Sequence, residues 1–308
     1  MPTPTAIPTN LIALDWGTSS LRAWRLSRSG RVLDARSKAW GIMHLPDGGF
    51  AAAFATITEG WRAPGTAALA CGMVGSRQGW HEVAYLPTPA GLPELAGALH
   101  AFPTADGGTL HLVPGLLDGA PDVMRGEETQ AIGAAPLLGD DALLVMPGTH
   151  SKWSRLQHGR VVSFRTMMTG ELFALLRRHS ILGRDDGTAD AETRDLAFTR
   201  GVQDAQAQGG FARLFATRAL SLTGGLAPGC AADYLSGLLI GEELRLAADA
   251  RSPGTRVALT GDPALCDRYA GAFAALDLTV PERLGDTALA GLRHIAHHAG
   301  LLDAPDGA

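Results

Sequence analysis

The chain has 308 residues, 46% of them hydrophobic, a net charge of -5 and a pI near 6.0; it can bury two cores and lacks the basic field that a polynucleotide partner requires. Cys71, Cys230 and Cys266 stand far apart without a CxxC pair, which argues against a disulfide framework or a cysteine zinc site and for a reducing compartment. No stretch reaches the roughly 20 apolar residues that cross a bilayer, and the start MPTPTAIPTN has neither the basic nor the apolar region of a signal peptide, so the expectation is a cytoplasmic protein with a loose N-terminal arm.

In chain order, Leu11 to Trp16, Leu21 to Leu26 and Arg31 to Arg36 read as three strands joined by glycine-containing turns. Phe50 to Trp61 has helical character, Ala67 to Val74 and Thr109 to Val113 are apolar runs fit for buried strands, and Glu127 to Ala135 reads as a helix. The pattern then restarts, with strands at Ala142 to Met146, Lys152 to Leu156 and Val161 to Met167. Helices are expected at Glu171 to His179, Ala191 to Gln208, Phe211 to Leu220 and Ala232 to Ala250, with the polar loop Leu182 to Asp190 mobile. Arg256 to Thr260 is a strand, Pro263 to Leu276 a helix, Leu278 to Pro281 a last strand and Thr287 to Leu301 a closing helix. Meander, then alternating helices and strands, implies mixed sheets covered by helices.

The restart reads as an internal repeat. LDWGTSSLRAWRLSRSGRV lies over VMPGTHSKWSRLQHGRV, pairing Gly17-Thr18 with Gly148-Thr149, Trp24 with Trp153, and Gly30-Arg31-Val32 with Gly159-Arg160-Val161. Two domains follow, 1–140 and 141–308.

Each copy places Gly-Thr in a turn after an apolar strand, where backbone N–H groups and hydroxyls can face phosphate oxygens. In the first, Gly17, Thr18 and Ser19 are the phosphate candidates, and Asp15 is placed to hold Mg2+ through water. The second, Gly148, Thr149, His150, Ser151 and Lys152, lacks the acid and gains a lysine, which is either near the transferring group or a solvated strand residue. Glu127 and Glu128 open a helix late in the first half; they either favour the helix dipole or supply the base that takes a proton from a substrate hydroxyl, Glu127 before Glu128. In the Gly-rich loop CGMVGSRQGW, Arg77 can hold a carboxylate in a bidentate fork, and Trp80 either walls a sugar pocket or packs structurally. Thr260, Gly261 and Asp262 join a strand to a helix where adenine could approach the backbone.

The order of phosphate turn, substrate loop, acidic segment, second phosphate turn, long helix and adenosine turn resembles the actin-like ATPase and sugar-kinase superfamily. The strings CGMVGSRQGW, MRGEETQAIGA and MPGTHSKW look like those of the 2-dehydro-3-deoxygalactonokinase family. That resemblance implies two ribonuclease-H-like domains with five-stranded mixed sheets over a nucleotide cleft. It also implies ATP-dependent phosphorylation of the terminal hydroxyl of a small sugar acid, with Ser76, Arg77 and Arg125 near the substrate. Glu127-Glu128 stands where glycerol- and xylulose-type kinases carry an aspartate. Alternatives are a kinase for a neutral sugar and an actin-like regulator; the galactonate and gluconate epimers stay unresolved, and apolar helix faces in the second half would permit a homodimer.

Overall fold

The computed structural model describes residues 10–63, 65–184, 187–251 and 254–303. The expected N-terminal arm, all but Asn10, lies outside them, as do residues 185–186 of the polar loop.

Two compact units emerge, which do not follow the two halves of the sequence. The first takes the chain to Asp140, Leu156–Phe164 and the segment from Asp286; the second takes Asp141–Arg155 and Arg165–Gly285.

In the first unit β1 (Leu11–Trp16), β2 (Leu21–Leu26) and β3 (Val32–Lys38) form the expected meander, followed by α1 (Gly49–Ile57) and β4 (Ala67–Gly72). The segment from residue 81 to 126, largely unread in the sequence, holds β5 (Leu86–Pro87), β6 (Ala90–Gly91), α2 (Leu92–Gly97), β7 (His100–Pro103), β8 (Thr109–Leu112), β9 (Leu116–Asp118) and β10 (Asp122–Met124). α3 (Glu127–Leu138) closes it. The main sheet runs β3-β2-β1-β4-β8-β7, with β1 antiparallel to β2 and parallel to β4. β1 and β4 are buried nearly throughout, as strands covered on both faces must be, whereas β3 carries Asp34, Arg36 and Lys38 along an exposed edge.

The second half of the chain repeats the meander as β11 (Asp141–Met146), β12 (Ser151–Gln157) and β13 (Arg160–Met167), of which Leu156–Phe164 belongs to the first unit. Then come α4 (Thr169–His179), α5 (Ala191–Gln208), α6 (Leu214–Thr223), α7 (Ala231–Leu246), β14 (Arg256–Leu259), α8 (Pro263–Ala275) and β15 (Glu282–Arg283). The sheet order is β15-β14-β11-β12-β13-β6, with β11 parallel to β14. Thus β13-β12-β11-β14 repeats β3-β2-β1-β4, and the two hairpins are copies of one design. Each sheet has six strands rather than five, because the short strands β7 and β6 add to the edges. The strand expected at Leu278 to Pro281 is absent; Pro281 has no N–H to give a ladder, and pairing with β14 begins at Glu282.

Both units use glycines to bring helices together. The last helix, α9 (Ala288–His298), packs in the first unit rather than with the second half of the sequence. A Cβ on Gly133 would lie 2.1 Å from the Thr287 carbonyl oxygen, and one on Gly291 would lie 1.8 Å from that of Thr129, so α3 and α9 touch backbone to backbone. α5 and α7 cross the same way: a Cβ on Gly237 would meet the Phe198 carbonyl at 2.2 Å, and one on Gly201 the Tyr234 carbonyl at 2.3 Å. The first crossing fixes the start of α3, where the acidic pair sits.

Candidate active site

In the first unit the register pairs Asp15 with Cys71 and Trp16 with Gly72. The turn after β1 and the loop after β4 therefore leave the sheet side by side at the C-terminal ends of neighbouring parallel strands, the usual place for a ligand in such sheets. Gly72, at φ 93°, is required there: a Cβ would stand 2.6 Å from the Trp16 carbonyl oxygen. Gly126, at φ 107°, backs onto it, with a Cβ position 3.2 Å from the Gly72 Cα. Asp15, the Gly17-Thr18 turn, the 72–77 loop and the start of α3 thus converge in one corner.

The Gly17 N–H donates to the Ser20 carbonyl at 2.9 Å, and the turn is propped by N–H bonds from Ile42 and Met43 to the carbonyls of Gly17 and Thr18. This leaves Thr18 and Ser19 exposed. Arg22, which the sequence reading passes over, donates from Nε to Asp15 Oδ2 at 3.1 Å and bonds the same oxygen through Nη2; Oδ1 faces the Cys71 thiol at 3.8 Å. Arg22 stands opposite Asp15 in the β1–β2 register, so pairing the two strands on paper is the signal that finds it. One half-buried carboxylate beside hydroxyls suits Mg2+, which keeps most of its water and takes phosphate oxygens. Among the described residues no group of three His, Cys, Asp or Glu side chains is placed to hold a metal.

The acidic pair divides in two. Glu128 is wholly buried; it accepts the Gly126 N–H at 2.6 Å and the Thr129 hydroxyl at 2.9 Å. Burial, then repulsion from Glu127, pushes its carboxyl up to about 7. Glu127 is only partly covered, and its Oε2 accepts the Arg125 backbone N–H at 3.1 Å. Burial also holds the Cys71 thiol far above its ordinary range.

Of the substrate candidates, Ser76 and Arg125 are buried and Arg77 is exposed. Trp80 is packed among Trp16, Phe50, Phe54 and Phe102, with ring centroids 5.4 to 6.2 Å away, which is the structural alternative for that residue.

The second unit builds the same corner. Two residues past the register pair Val145↔Leu259, Pro147 meets Gly261, whose φ is 129° and whose Cβ position lies 3.6 Å from the Pro147 carbonyl oxygen. Gly261 is thus the counterpart of Gly72. Thr149 and His150 are exposed, and His150 Nε2 pairs with Glu171. Ser151 and Lys152 are buried instead: the Ser151 hydroxyl donates to Glu243 Oε1 at 2.6 Å, and Lys152 Nζ donates to the Thr166 hydroxyl at 2.7 Å. Lys152 is therefore not a solvated strand lysine. Thr260 is buried, its hydroxyl donating to the Gly285 carbonyl at 2.5 Å, and Asp262 caps α8 by accepting the Leu265 N–H at 3.0 Å. A cavity of about 220 Å³ opens beside this corner, lined by Gly148, Thr169, Gly170, Phe173, Leu265 and Tyr269.

Glu243, on the long helix α7, escaped the sequence reading. Its buried carboxylate accepts from Ser151, from Trp153 Nε1 at 2.6 Å, from the Thr169 hydroxyl and from Tyr269 at 2.7 Å; burial still pushes its carboxyl above the ordinary range. An acid inside the apolar run YLSGLLIGEELRL is the signal that could have found it.

A duplicated mixed sheet, with a Gly-Thr turn at the end of the first strand of each copy and an acidic pair beside one of them, defines a sugar kinase of the actin-like ATPase superfamily. The chain belongs to the 2-keto-3-deoxy-galactonokinase family, whose model matches residues 15–295. It is 38% identical over 291 residues to 2-dehydro-3-deoxygalactonokinase of Escherichia coli (strain K12), covering 93% of this chain and 97% of that protein. It is 42% identical over 280 residues to a probable 2-dehydro-3-deoxygalactonokinase of Rhizobium meliloti (strain 1021), covering 87% and 90%. A crystal structure from Sinorhizobium meliloti, of a protein given the same name provisionally, superposes with a TM-score of 0.84 at 39% identity, covering 93% of this chain and 98% of that one.

Proposed function

We propose that the protein transfers the γ-phosphoryl group of ATP to the C6 hydroxyl of 2-dehydro-3-deoxy-D-galactonate, giving the 6-phosphate and ADP, in the cytoplasm, whose reducing conditions suit three free buried cysteines. Membership of the kinase family supplies the reaction class, and the observation that carries the site is the convergence of Asp15, the Gly17-Thr18 turn and Glu127 in one corner of the first unit.

Glu127, the reachable acid of the pair, takes the proton of the C6 hydroxyl as that oxygen bonds to the γ-phosphorus and the bond to the β-phosphate oxygen breaks. Glu128 beneath it ties down the Gly126 N–H and fixes the turn that aims Glu127. Thr18, Ser19 and the backbone of the Gly17 turn grip phosphoryl oxygens, and Asp15, steadied by Arg22, would hold Mg2+, which when bound would offset charge on the phosphates. In the second unit the Gly148-Thr149 turn and His150 form a phosphate-binding turn of their own. The adjoining cavity, with Thr260, Gly261 and Asp262 at the neighbouring strand end, takes the nucleoside. Ser151 and Lys152 shape the turn from inside.

The test is ADP release by the purified protein with MgATP, alone and with 2-dehydro-3-deoxy-D-galactonate, its gluconate epimer or glycerol. Strong stimulation by the galactonate-derived acid is expected, and Glu127→Gln is expected to lower kcat by roughly 10²- to 10⁴-fold. Stimulation by glycerol alone, or none at all, would refute the reaction.

A further inference from the structure

Resting on that sugar-acid reading, we infer that Arg125 and Ser76 form the carboxylate-binding subsite of the first unit, in place of the exposed Arg77. Arg125 is 7% exposed, yet no described acid forms a salt bridge with it. Nη2 donates to the Val83 carbonyl at 2.6 Å, and the guanidinium lies over the Tyr85 ring at 4.3 Å. The Nε and Nη1 edges have no hydrogen-bond partner, and neither does the Ser76 hydroxyl, itself 5% exposed. Arg125 is the one described residue with two such orphaned side-chain nitrogens.

A guanidinium cannot shed its charge, so burying it without an anion is costly unless an anion arrives with the ligand. Nε and Nη1 point to opposite sides of the guanidinium, and each shares an edge with Nη2; whichever Nη2 hydrogen the Val83 carbonyl takes, the other completes with Nε or Nη1 the planar fork that a carboxylate satisfies with two parallel bonds. Ser76 follows Gly75 in the chain, and a Cβ on that glycine would sit 2.9 Å from Nη1, so the backbone at 75 lies against the guanidinium because the residue has no side chain.

The placement along the chain matches the substrate. Arg125 is two residues before Glu127, so their Cα atoms are at most about 7 Å apart, a span that lets a long arginine side chain reach the acid end of a six-carbon chain whose far hydroxyl meets Glu127. The orphaned groups are closed from water, so a carboxylate that reaches them is held where water does not weaken its bonds. Tyr85, Val83 and the Val83 N–H bond to the Gly75 carbonyl at 3.0 Å hold the back of the subsite.

The experiment compares 2-dehydro-3-deoxy-D-galactonate with its neutral C1 amide in the wild type and in Arg125→Gln, Arg125→Lys, Ser76→Ala and Arg77→Leu. Losing a charge-assisted pair of bonds is expected to raise the KM of Arg125→Gln for the acid by about 10²-fold, leaving the KM for the amide and for MgATP within a few-fold, so that the preference for the acid collapses. Arg125→Lys should recover part of it, and Ser76→Ala should lose about tenfold. An unchanged KM for the acid in both Arg125 variants, an equal loss for acid and amide, or the loss falling on Arg77→Leu would each overturn the assignment. Should Arg125→Gln fail to fold, Arg125→Lys and Ser76→Ala decide it by the same ratio. A wild-type enzyme that turns over no keto-deoxy acid would instead refute the reaction on which the inference rests.

Discussion

The two corners of this molecule are built alike and charged differently. Each sets a Gly-Thr turn beside a positive-φ glycine at the ends of two parallel strands, Gly72 in one and Gly261 in the other. In the first the acid stands on the strand itself, as half-buried Asp15 balanced by Arg22, with Glu128 buried behind it on two donors. In the second the strand ends in Met146 and the acid comes from behind, as Glu243 saturated by four donors. One backbone design therefore carries a carboxylate partly open to solvent at the first turn and one enclosed by four donors at the second.

The sharpest way to break this comparison is to remove the satisfied carboxylate. Glu243→Ala leaves buried donors from Ser151, Trp153, Thr169 and Tyr269 without their acceptor, and breaking a buried charged network costs roughly 3–5 kcal/mol. A melting temperature lowered by about 10 °C is expected, with Glu243→Gln closer to wild type. A melt unchanged in Glu243→Ala would mean that the network is not what holds the second turn.

Glu128 gives the next largest effect, and its sign is fixed by the direction of its shift. Its carboxyl is raised to about 7 in the folded protein from 4.5, so the stabilising contribution is complete below pH 4.5 and is lost as pH rises through 7. The expected loss is about 3 kcal/mol across that window, and Glu128→Gln should flatten it. Urea denaturation of both proteins at pH 4.5 to 8 reads this directly; parallel pH profiles would show that Glu128 does not carry this pH dependence.

Much of this comparison is legible in the sequence, because it depends on local patterns. Buried runs such as LIALDW and the turn residues give the strands, and the Gly-Thr repeat gives the duplication. What the sequence hides is set by contacts far along the chain. α9 joins the first unit through glycines that look unremarkable in a helix. The segment from residue 81 to 126 folds as very short strands with too few residues to show a period. Ser151 and Lys152 look like ligands beside a glycine turn until Glu243, 92 positions away from Ser151, is seen to claim the serine. The unpaired edge of Arg125 is likewise invisible until its neighbours are known.

The glycines span the range from large to negligible effects, and the smallest of these are the most informative about function. Gly72→Ala combines a strained φ with a Cβ placed 2.6 Å from a carbonyl oxygen, whereas Gly261→Ala has the strain alone, its nearest neighbour being 3.6 Å away; about 3 kcal/mol or more against about 1–2 kcal/mol is expected. Gly17 and Gly148 have neither excuse. Neither has a strained φ, the nearest atom to a Cβ on Gly17 is 3.7 Å away, and nothing lies within 4 Å of one on Gly148. Alanine at either should therefore shift stability by no more than about 0.5 kcal/mol, and the folded protein has no need of glycine there. If phosphate oxygens approach those backbones, a methyl group stands in their way, and the KM for MgATP should rise about tenfold or more in both variants while melting temperatures hold. A normal KM for MgATP in Gly17→Ala and Gly148→Ala would leave the turns without a ligand. A rise in only one would show that the two corners differ in what they bind as well as in how they are charged.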